Sequence, residues 1–248
     1  MNLPEAYKTN NIYVPGLSRP GQLDETNQWP EERYTGSGDK EHRAYPDEVV
    51  AGLPVIAAGH PHYQEWRKRE KSCRRLIQYL ATRKLAPGIL EVGCGNGWLS
   101  AQLSTVPGSK VIGIDPDLAG LRQAARVFRR QPNLKFIYGD FCSDVLYDLS
   151  FDIIVFAGSI QYFPSLRGIV DAALLHLRPG GEMHILDSSF FKPEDPDTAG
   201  QPAAPYTFQH CTRDLYPFHY RYLYNPRSFW NKVFRKGSPF PWICISLE

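Results

Sequence analysis

Residues 89 to 97 read Ile89-Leu90-Glu91-Val92-Gly93-Cys94-Gly95-Asn96-Gly97, an apolar run that carries one acid and then breaks into three glycines at alternate positions. A strand whose carboxyl end turns at once into a helix needs glycine where a side chain would collide with the helix or with a ligand lying across the turn. The spacing is G-x-G-x-G, whereas the dinucleotide fingerprint is G-x-G-x-x-G and its sixth position here is the bulky Trp98, which disfavours NAD or FAD. A second apolar run, Lys110-Val111-Ile112-Gly113-Ile114, ends at Asp115, 18 residues after Gly97. That is close to the roughly 20-residue offset at which a βαβ unit presents an acid to a ribose, where a carboxylate can accept from both hydroxyls. A third run, Phe136-Ile137-Tyr138-Gly139-Asp140-Phe141, also ends in an acid, placing a carboxylate and an aromatic where they can meet the edge and face of an adenine.

Each acid also has a purely structural reading. Asp115-Pro116-Asp117 would cap a helix with proline in its first turn, and Gly139-Asp140 would suit an ordinary turn. Glu91 is harder to assign to structure alone, because burying a carboxylate without a partner costs several kcal/mol. It calls for a cation or a hydrogen-bond donor. Candidates for proton transfer are His210, His219, His60, His62 and Asp187, histidine having the pKa for such work near neutrality. Each has a structural or solvated alternative, and His184, in mid-strand, belongs to the interior.

The elements that must position these groups alternate as an α/β domain does. Strands are expected near 88 to 92, 110 to 114, 134 to 138, 152 to 157 and 181 to 187, with helices near 97 to 105, 117 to 130 and 165 to 177. This predicts a doubly wound, mostly parallel sheet of about seven strands with helices on both faces, its ligands lying beyond the carboxyl ends of the strands. Upstream, Trp66, Cys73, Leu76, Ile77 and Leu80 fall near helical spacing between Tyr63 and Lys84, with Arg67, Lys68, Arg69, Lys71, Arg74 and Arg75 largely on other faces. Interleaved Glu65 and Glu70 favour a solvated helix face over a phosphate-binding one.

These residues together resemble the class I S-adenosylmethionine-dependent methyltransferases, in particular the small-molecule branch with an E-x-G-x-G-x-G loop. The resemblance runs from about Pro87 to Ser188 and takes in Phe151-Asp152-Ile153-Ile154-Val155 as a fourth strand and Leu177-Arg178-Pro179-Gly180-Gly181 as the tight turn before a fifth. It implies S-adenosyl-L-methionine as cofactor and a Rossmann-like fold. By resemblance, Glu91 lies near the methionine amino group and Gly93, Cys94, Gly95, Asn96 and Gly97 approach the same moiety. Asp115 with Pro116 would hold the ribose, Asp140 with Phe141 would flank the adenine, and Ala157, Gly158 and Ser159 would border the cofactor. Ser159, Gln161 and Tyr162 stand where relatives of this kind face cofactor and substrate, although Tyr162 and Phe163 could equally be core. The helix before the first strand borders the cofactor in many relatives, which makes Tyr63, Trp66 and Arg67 pocket candidates together with Asp187. The loop Phe156-Ala157-Gly158-Ser159-Ile160-Gln161-Tyr162-Phe163 lacks the [DN]-P-P-[YF] pattern with which similar enzymes methylate amino groups of bases or glutamine.

Composition bounds the rest. The chain has 248 residues, 42% hydrophobic and 13% aromatic, enough for one core with additions. Residues 1–60 read as an irregular N-terminal arm or lid, aromatic enough at Tyr7, Tyr13, Trp29, Tyr34 and Tyr45 to pack on the domain. Residues 61–248 read as the cofactor-binding domain, with a proline-broken, aromatic, substrate-covering insertion at about 188–224 and a last antiparallel strand within 239–246. Twenty-eight basic against 26 acidic residues leave a net +2, which points to no polyanionic partner, so no nucleic acid is expected. The five cysteines are odd in number and form no CxxC pair, which suits a reducing compartment and argues against a metal site. No apolar run is long enough for a membrane span and the start lacks a signal-peptide pattern, so a cytoplasmic protein is expected. Nothing in these patterns specifies an oligomeric state.

The reading is a methyltransferase for a small, aromatic or apolar acceptor methylated on oxygen or nitrogen. Its rivals are a protein or RNA methyltransferase using the basic face from Arg67 to Arg75, a cofactor-binding protein without transferase activity, and, weakest, a nicotinamide oxidoreductase.

Overall fold

The computed structural model describes residues 7–9, 12–14, 45–83, 86–142, 144–191, 208–228 and 238–247. In chain order its strands are β1 (Tyr7–Thr9), β2 (Ile12–Val14), β3 (Gly88–Val92), β4 (Lys110–Asp115), β5 (Leu134–Tyr138) and β6 (Phe151–Ala157). They are followed by β7 (Leu177–Leu186), β8 (Phe190–Phe191), β9 (His210–Cys211), β10 (Tyr220–Tyr224) and β11 (Trp242–Ser246). The helices are α1 (Asp47–Gly52), α2 (Tyr63–Ala81), α3 (Trp98–Leu103), α4 (Leu118–Val127) and α5 (Leu166–Leu175).

The strands other than β8 and β9 form one sheet in the order β1-β2-β5-β4-β3-β6-β7-β11-β10. The run β5-β4-β3-β6-β7 is parallel throughout, β11 is antiparallel to β7, and β10 is antiparallel to β11. This is the expected α/β architecture, with a seven-stranded body extended by the β1–β2 pair, in which β2 joins β5 in parallel. The central strands read as near-continuous apolar runs because both their faces are covered. One face carries α5 through Leu166, Ile169, Val170 and Ala173. The other carries α2, α3 and α4 through Cys73, Leu76, Leu99, Leu103, Leu121 and Ala124.

Chain order reverses at β3 and β6: from β3 the chain steps outward to β4 and β5, then returns to β6 on the other side. A crevice outside the carboxyl ends of the strands at such a switch point is where open α/β sheets bind ligands. The helix α2 runs antiparallel to the strands, so its amino end reaches this crevice while Tyr79, near its carboxyl end, bonds Glu182 at the start of the apolar part of β7. Its apolar stripe is as expected, and Glu65–Arg69 and Glu70–Arg74 are i,i+4 pairs on its outer side.

Three expectations are corrected. Residues 1–60 are not irregular throughout: β1, β2 and α1 are regular, and Asp47 of α1 pairs with Arg126 of α4 at 2.6 Å. Trp29 and Tyr34 lie outside the described residues. The segment 188–224 is not all insertion, because Tyr220–Tyr224 is the edge strand β10 of the main sheet; proline and aromatic content hid a strand only five residues long. The Pro179-Gly180-Gly181 turn lies within the bounds of β7, as a bulge where pairing with β6 jumps from Phe151↔Leu177 to Ile153↔Glu182.

Candidate functional site

The loop from Gly93 to Gly97 bridges β3 and α3, and its three glycines all adopt left-handed φ values, +76°, +52° and +73°. They serve different ends. A Cβ at Gly97 would lie 2.7 Å from Ala124 and from Phe136, and one at Gly93 would lie 2.5 Å from the Ser159 Cβ, so both positions are fixed by the protein's own packing. A Cβ at Gly95 would meet nothing within 4 Å. Gly95 therefore faces open space at the switch point, as a ligand lying across the turn requires.

Around this turn stand buried carboxylates whose partners are mostly neutral. Glu91 is 3% exposed, and its carboxylate accepts from Ser100 Oγ of α3. Burial raises its pKa to about 8, the Ser100 hydrogen bond opposing and the Asp115 charge adding to the shift. Its expected partner is thus a hydroxyl. Asp115 uses one oxygen for the Gly95 N–H and the other for the Asp117 N–H, each at 2.7 Å. It braces the glycine loop, and the helix cap is Asp117, which accepts from Ala119 N–H at 3.0 Å. Asp187, after β7, accepts from Ser72 Oγ at 2.7 and 2.9 Å, and burial raises its pKa to about 6 against Ser72 and Arg69. Among the described residues no lysine or arginine forms an ion pair with Glu91 or Asp187.

The other expected site residues divide between the crevice and the core. Asn96 and Pro116 are partly exposed in the loops after β3 and β4, whereas Cys94 is buried, its thiol pKa pushed up by burial. Asp140 accepts from Cys142 N–H at 2.7 Å in a tight turn after β5. Phe141 is corrected as an adenine-flanking ring: it is 3% exposed and packs edge-on against Phe156 at 5.6 Å, since the turn aims it into the core. Ala157 ends β6 at the crevice and Gly158 follows it, the Gly158 N–H donating to the Leu186 carbonyl at 2.9 Å. Ser159 is buried and donates to the Val92 carbonyl at 2.6 Å, locking the β6 loop to β3. Gln161 donates to the Gly158 carbonyl at 2.6 Å and accepts from Ser188 at 3.1 Å, joining the loops after β6 and β7. Tyr162 is partly exposed in the short helical turn beside it.

Two histidines are corrected as bases. His210 is 3% exposed, burial lowers its pKa, and its Nε2–H donates to the Ile160 carbonyl at 2.9 Å, so it holds the β8–β9 pair against the β6 loop. His219 precedes β10, whose Tyr220 pairs with Ile245 near the start of β7, which places it at the end of the sheet opposite the crevice. Trp66 is 3% exposed, donates to the Tyr45 hydroxyl at 2.9 Å and packs edge-on against Trp98 at 5.3 Å. This chain continues to His60, 5.6 Å from Tyr45, and His62 beyond it, and forms the wall above α3. Arg67 is exposed over the ring of partly buried Tyr63.

Sequence reasoning missed Ser100 and Gly113. A Cβ at Gly113 in β4 would lie 2.7 Å from Ser100 Oγ and 2.8 Å from Cys94 Sγ, so this glycine makes room for the hydroxyl that holds Glu91. A glycine inside a strand otherwise made of branched residues was the available signal. A cluster of Glu182, His184 and Cys244 at the far end of α2 has metal-ligand residue types. Its donor set is that of an ion-pair network instead. Glu182 accepts from Tyr79, Arg83 and Arg221, and His184 Nδ1 accepts from Trp242 Nε1–H at 3.2 Å, leaving the proton of neutral imidazole on Nε2 facing Glu182.

A family model described as "Methyltransferase domain" matches residues 89–181. Trans-aconitate 2-methyltransferase from Deinococcus radiodurans is 29% identical over 126 residues, covering 50% of this chain and 46% of that protein. A sterol 24-C-methyltransferase from Aspergillus fumigatus is 28% identical over 138 residues, covering 53% and 35%. The chain thus aligns with less than half the length of these curated relatives. Among solved structures, magnesium protoporphyrin IX methyltransferase from Synechocystis PCC 6803, with bound S-adenosylmethionine, superposes with TM-score 0.59 at 14% identity over 92% of this chain and 100% of that one. An amino pentose methyltransferase from Micromonospora echinaspora superposes with TM-score 0.55 at 15% identity, over 78% and 99%. No helix among the described residues is long and apolar enough to cross a membrane. Residues 89–181, which span the switch point, thus match a methyltransferase domain, and the chain shares the fold of these methyltransferases.

Proposed function

We propose that the crevice at the carboxyl ends of β3, β4 and β6 binds S-adenosyl-L-methionine and that the chain transfers its methyl group to a small acceptor. The observation that carries this reading is the pair of carboxylates near an open glycine turn, buried Glu91 and half-buried Asp187, which accept from Ser100 and Ser72. Among the described residues no lysine or arginine forms an ion pair with either, and burying carboxylates without positive charge is costly. A ligand bearing a sulfonium and an ammonium supplies that charge; a dinucleotide, with its pyrophosphate, would add to the negative field. Bound S-adenosylmethionine would bring a methyl group already activated by its sulfonium.

The chain's residues would then hold and orient. Gly95, with no side chain and nothing in front of it, allows the closest approach. Asp115, at the end of β4 beside the glycine turn, would meet the ribose hydroxyls, and Asp140, after β5, the adenine edge. Glu91 lies below the turn as the partner of the methionine ammonium. Trp98, Trp66 and Tyr45 close one side against water, which favours a transfer that needs little beyond alignment in a dry site. The acceptor is taken as small in view of relatives whose names specify trans-aconitate, a sterol and demethylmenaquinone. The basic face of α2 gives RNA little to bind: Arg69 and Arg74 are paired with Glu65 and Glu70, and Arg75 lies over Tyr224 at 4.3 Å. Five free thiols are in keeping with work in a reducing compartment such as the cytoplasm.

The experiment is calorimetric titration with S-adenosylmethionine, S-adenosylhomocysteine and NADH. One-to-one binding of the first two and none of the third is expected. Binding of NADH alone would refute the assignment.

A further inference from the structure

The segment leading into β9 is stitched to the short helical turn Ile160–Tyr162 that follows β6. The Phe208 N–H donates to the Gln161 carbonyl at 2.7 Å, and two residues on the His210 Nε2–H donates to the Ile160 carbonyl at 2.9 Å. Consecutive carbonyls of one turn thus receive a backbone donor and a side-chain donor from alternate residues of the incoming segment. That segment is also held from behind. His210 pairs with Phe190 of β8, and Leu215, in the helical turn Thr212–Leu215 that follows β9, is fully buried in the same core cluster as α5.

The loop that receives these donors leans on the glycine turn. Ser159 donates to the Val92 carbonyl at 2.6 Å, and a Cβ at Gly93 would lie 2.5 Å from the Ser159 Cβ. His210, Ile160, Ser159 and Gly93 therefore form one continuous path: a hydrogen bond, a peptide link and a close packing contact. The clasp works with a neutral imidazole. His210 is 3% exposed with the Phe190 ring 6.5 Å away, so a charged ring there would be stripped of water. Burial lowers its pKa below the 6.5 of a free histidine. The Ile160 carbonyl, the Asp214 carboxylate and the Phe163 carbonyl pull the other way without outweighing burial. Asp214 is itself engaged, accepting from the Cys211 N–H at 3.2 Å.

We propose that His210 is a positioning residue for the cofactor turn: clasped to Ile160 as the neutral ring, it holds the loop after β6 against Gly93, and protonation frees residues 208–215 and loosens that loop. The inference rests on the cofactor reading above. A ring that is kept neutral when clasped supports the clasp fully above pH 6.5 and loses it as the pH falls below. Each pH unit below 6.5 then favours release by up to about tenfold, until the clasped ring itself titrates.

The test is amide hydrogen exchange over residues 158–163 and 208–215 between about pH 5.5 and 7.5, corrected for the intrinsic pH dependence of exchange, on wild type, His210→Gln and His210→Phe. Wild-type protection of both segments is expected to fall about tenfold across that range. His210→Gln, whose amide still donates to Ile160 but takes up no proton, should keep neutral-pH protection within about threefold and lose the pH dependence. His210→Phe, without the donor, should lose about tenfold at every pH. Saturating S-adenosylhomocysteine should raise wild-type protection of 208–215 at least about fivefold, because coupling between two sites is reciprocal. Wild-type protection that ignores pH, pH dependence that persists in His210→Gln, or bound S-adenosylhomocysteine that leaves 208–215 unchanged would overturn the proposal. Should the variants not fold, the assigned ring C–H resonance of wild-type His210 decides: titration below pH 6.5 supports the clasp, and titration at or above it overturns the clasp. Failure of wild type to bind S-adenosylhomocysteine by calorimetry would instead remove the cofactor reading, and this inference with it.

Discussion

Replacing Glu91 by glutamine removes a titratable proton from the middle of the sheet while nearly preserving the side chain's shape. Glu91 is 3% exposed between β4 and β6, and burial holds its pKa near 8 against 4.5 for a free glutamate. An acid raised in this way binds a proton in the folded state that the unfolded chain has already lost. Its contribution is fully present below about pH 4.5, declines as the pH rises toward 8, and is flat above. Each pH unit in that window costs the wild type about 1.4 kcal/mol, so stability relative to Glu91→Gln should fall by about 2 kcal/mol between pH 6 and pH 8. Urea denaturation of both proteins at pH 6, 7 and 8 measures it, because groups common to the two cancel in the difference. Curves that stay parallel within about 0.5 kcal/mol would show that Glu91 is ionised in the free protein and sink the electrostatic argument for the site. S-adenosylmethionine, bringing positive charge beside Glu91, should lower its pKa. Binding at pH 7 is then expected to release close to one proton in wild type and none in the variant, counted by calorimetry in phosphate and in Tris.

The glycines should separate packing from binding. Gly97→Ala, with Ala124 and Phe136 in the way and φ +73°, is expected to cost about 3 kcal/mol by urea denaturation. Gly95→Ala should cost only about 1 kcal/mol, the backbone term, yet weaken S-adenosylhomocysteine at least tenfold by calorimetry. Asp115→Asn leaves either the Gly95 or the Asp117 N–H facing an amide NH₂. A loss of about 1–2 kcal/mol together with a tenfold or greater loss of cofactor affinity is expected, and unchanged affinity would refute the ribose assignment. At the opposite end, burial alone would raise Glu182, but contacts with His184, Tyr79 and Arg83 outweigh it and hold the carboxyl at about 2. Glu182→Gln should therefore destabilise by about 3 kcal/mol without affecting cofactor binding.

What could be read from the chain and what could not divide along a physical line. The glycine loop, Asp115 and the five parallel strands were legible because each depends on a few consecutive residues: an apolar run covered on both faces, then a turn that only glycine allows. Five-residue strands at the sheet edge, such as Tyr220–Tyr224, carry no such signature, since one side of an edge strand is open and its composition is free to resemble a loop. Phe141 shows the same limit at a single residue. Its place after Gly139-Asp140 was visible, but whether the turn aims the ring outward or into Phe156 depends on a strand fifteen residues further on.

The acids make the point most sharply. Glu91 announced itself as an ion among apolar neighbours, and the demand for a partner followed from desolvation alone. That the partner is Ser100, admitted by the missing side chain of Gly113, depends on two elements meeting across the sheet and on no local rule. Asp187 goes one step further. Its type and its position after a strand were enough to mark it as a candidate, yet strand alternation would assign it to the wrong face. A single left-handed residue reverses that assignment, and the reversal is what joins α2, β7 and the β10–β11 corner around one cleft. Local pattern therefore fixes where a ligand crosses the sheet, while the direction of a side chain at that crossing is decided by packing between elements far apart in the chain.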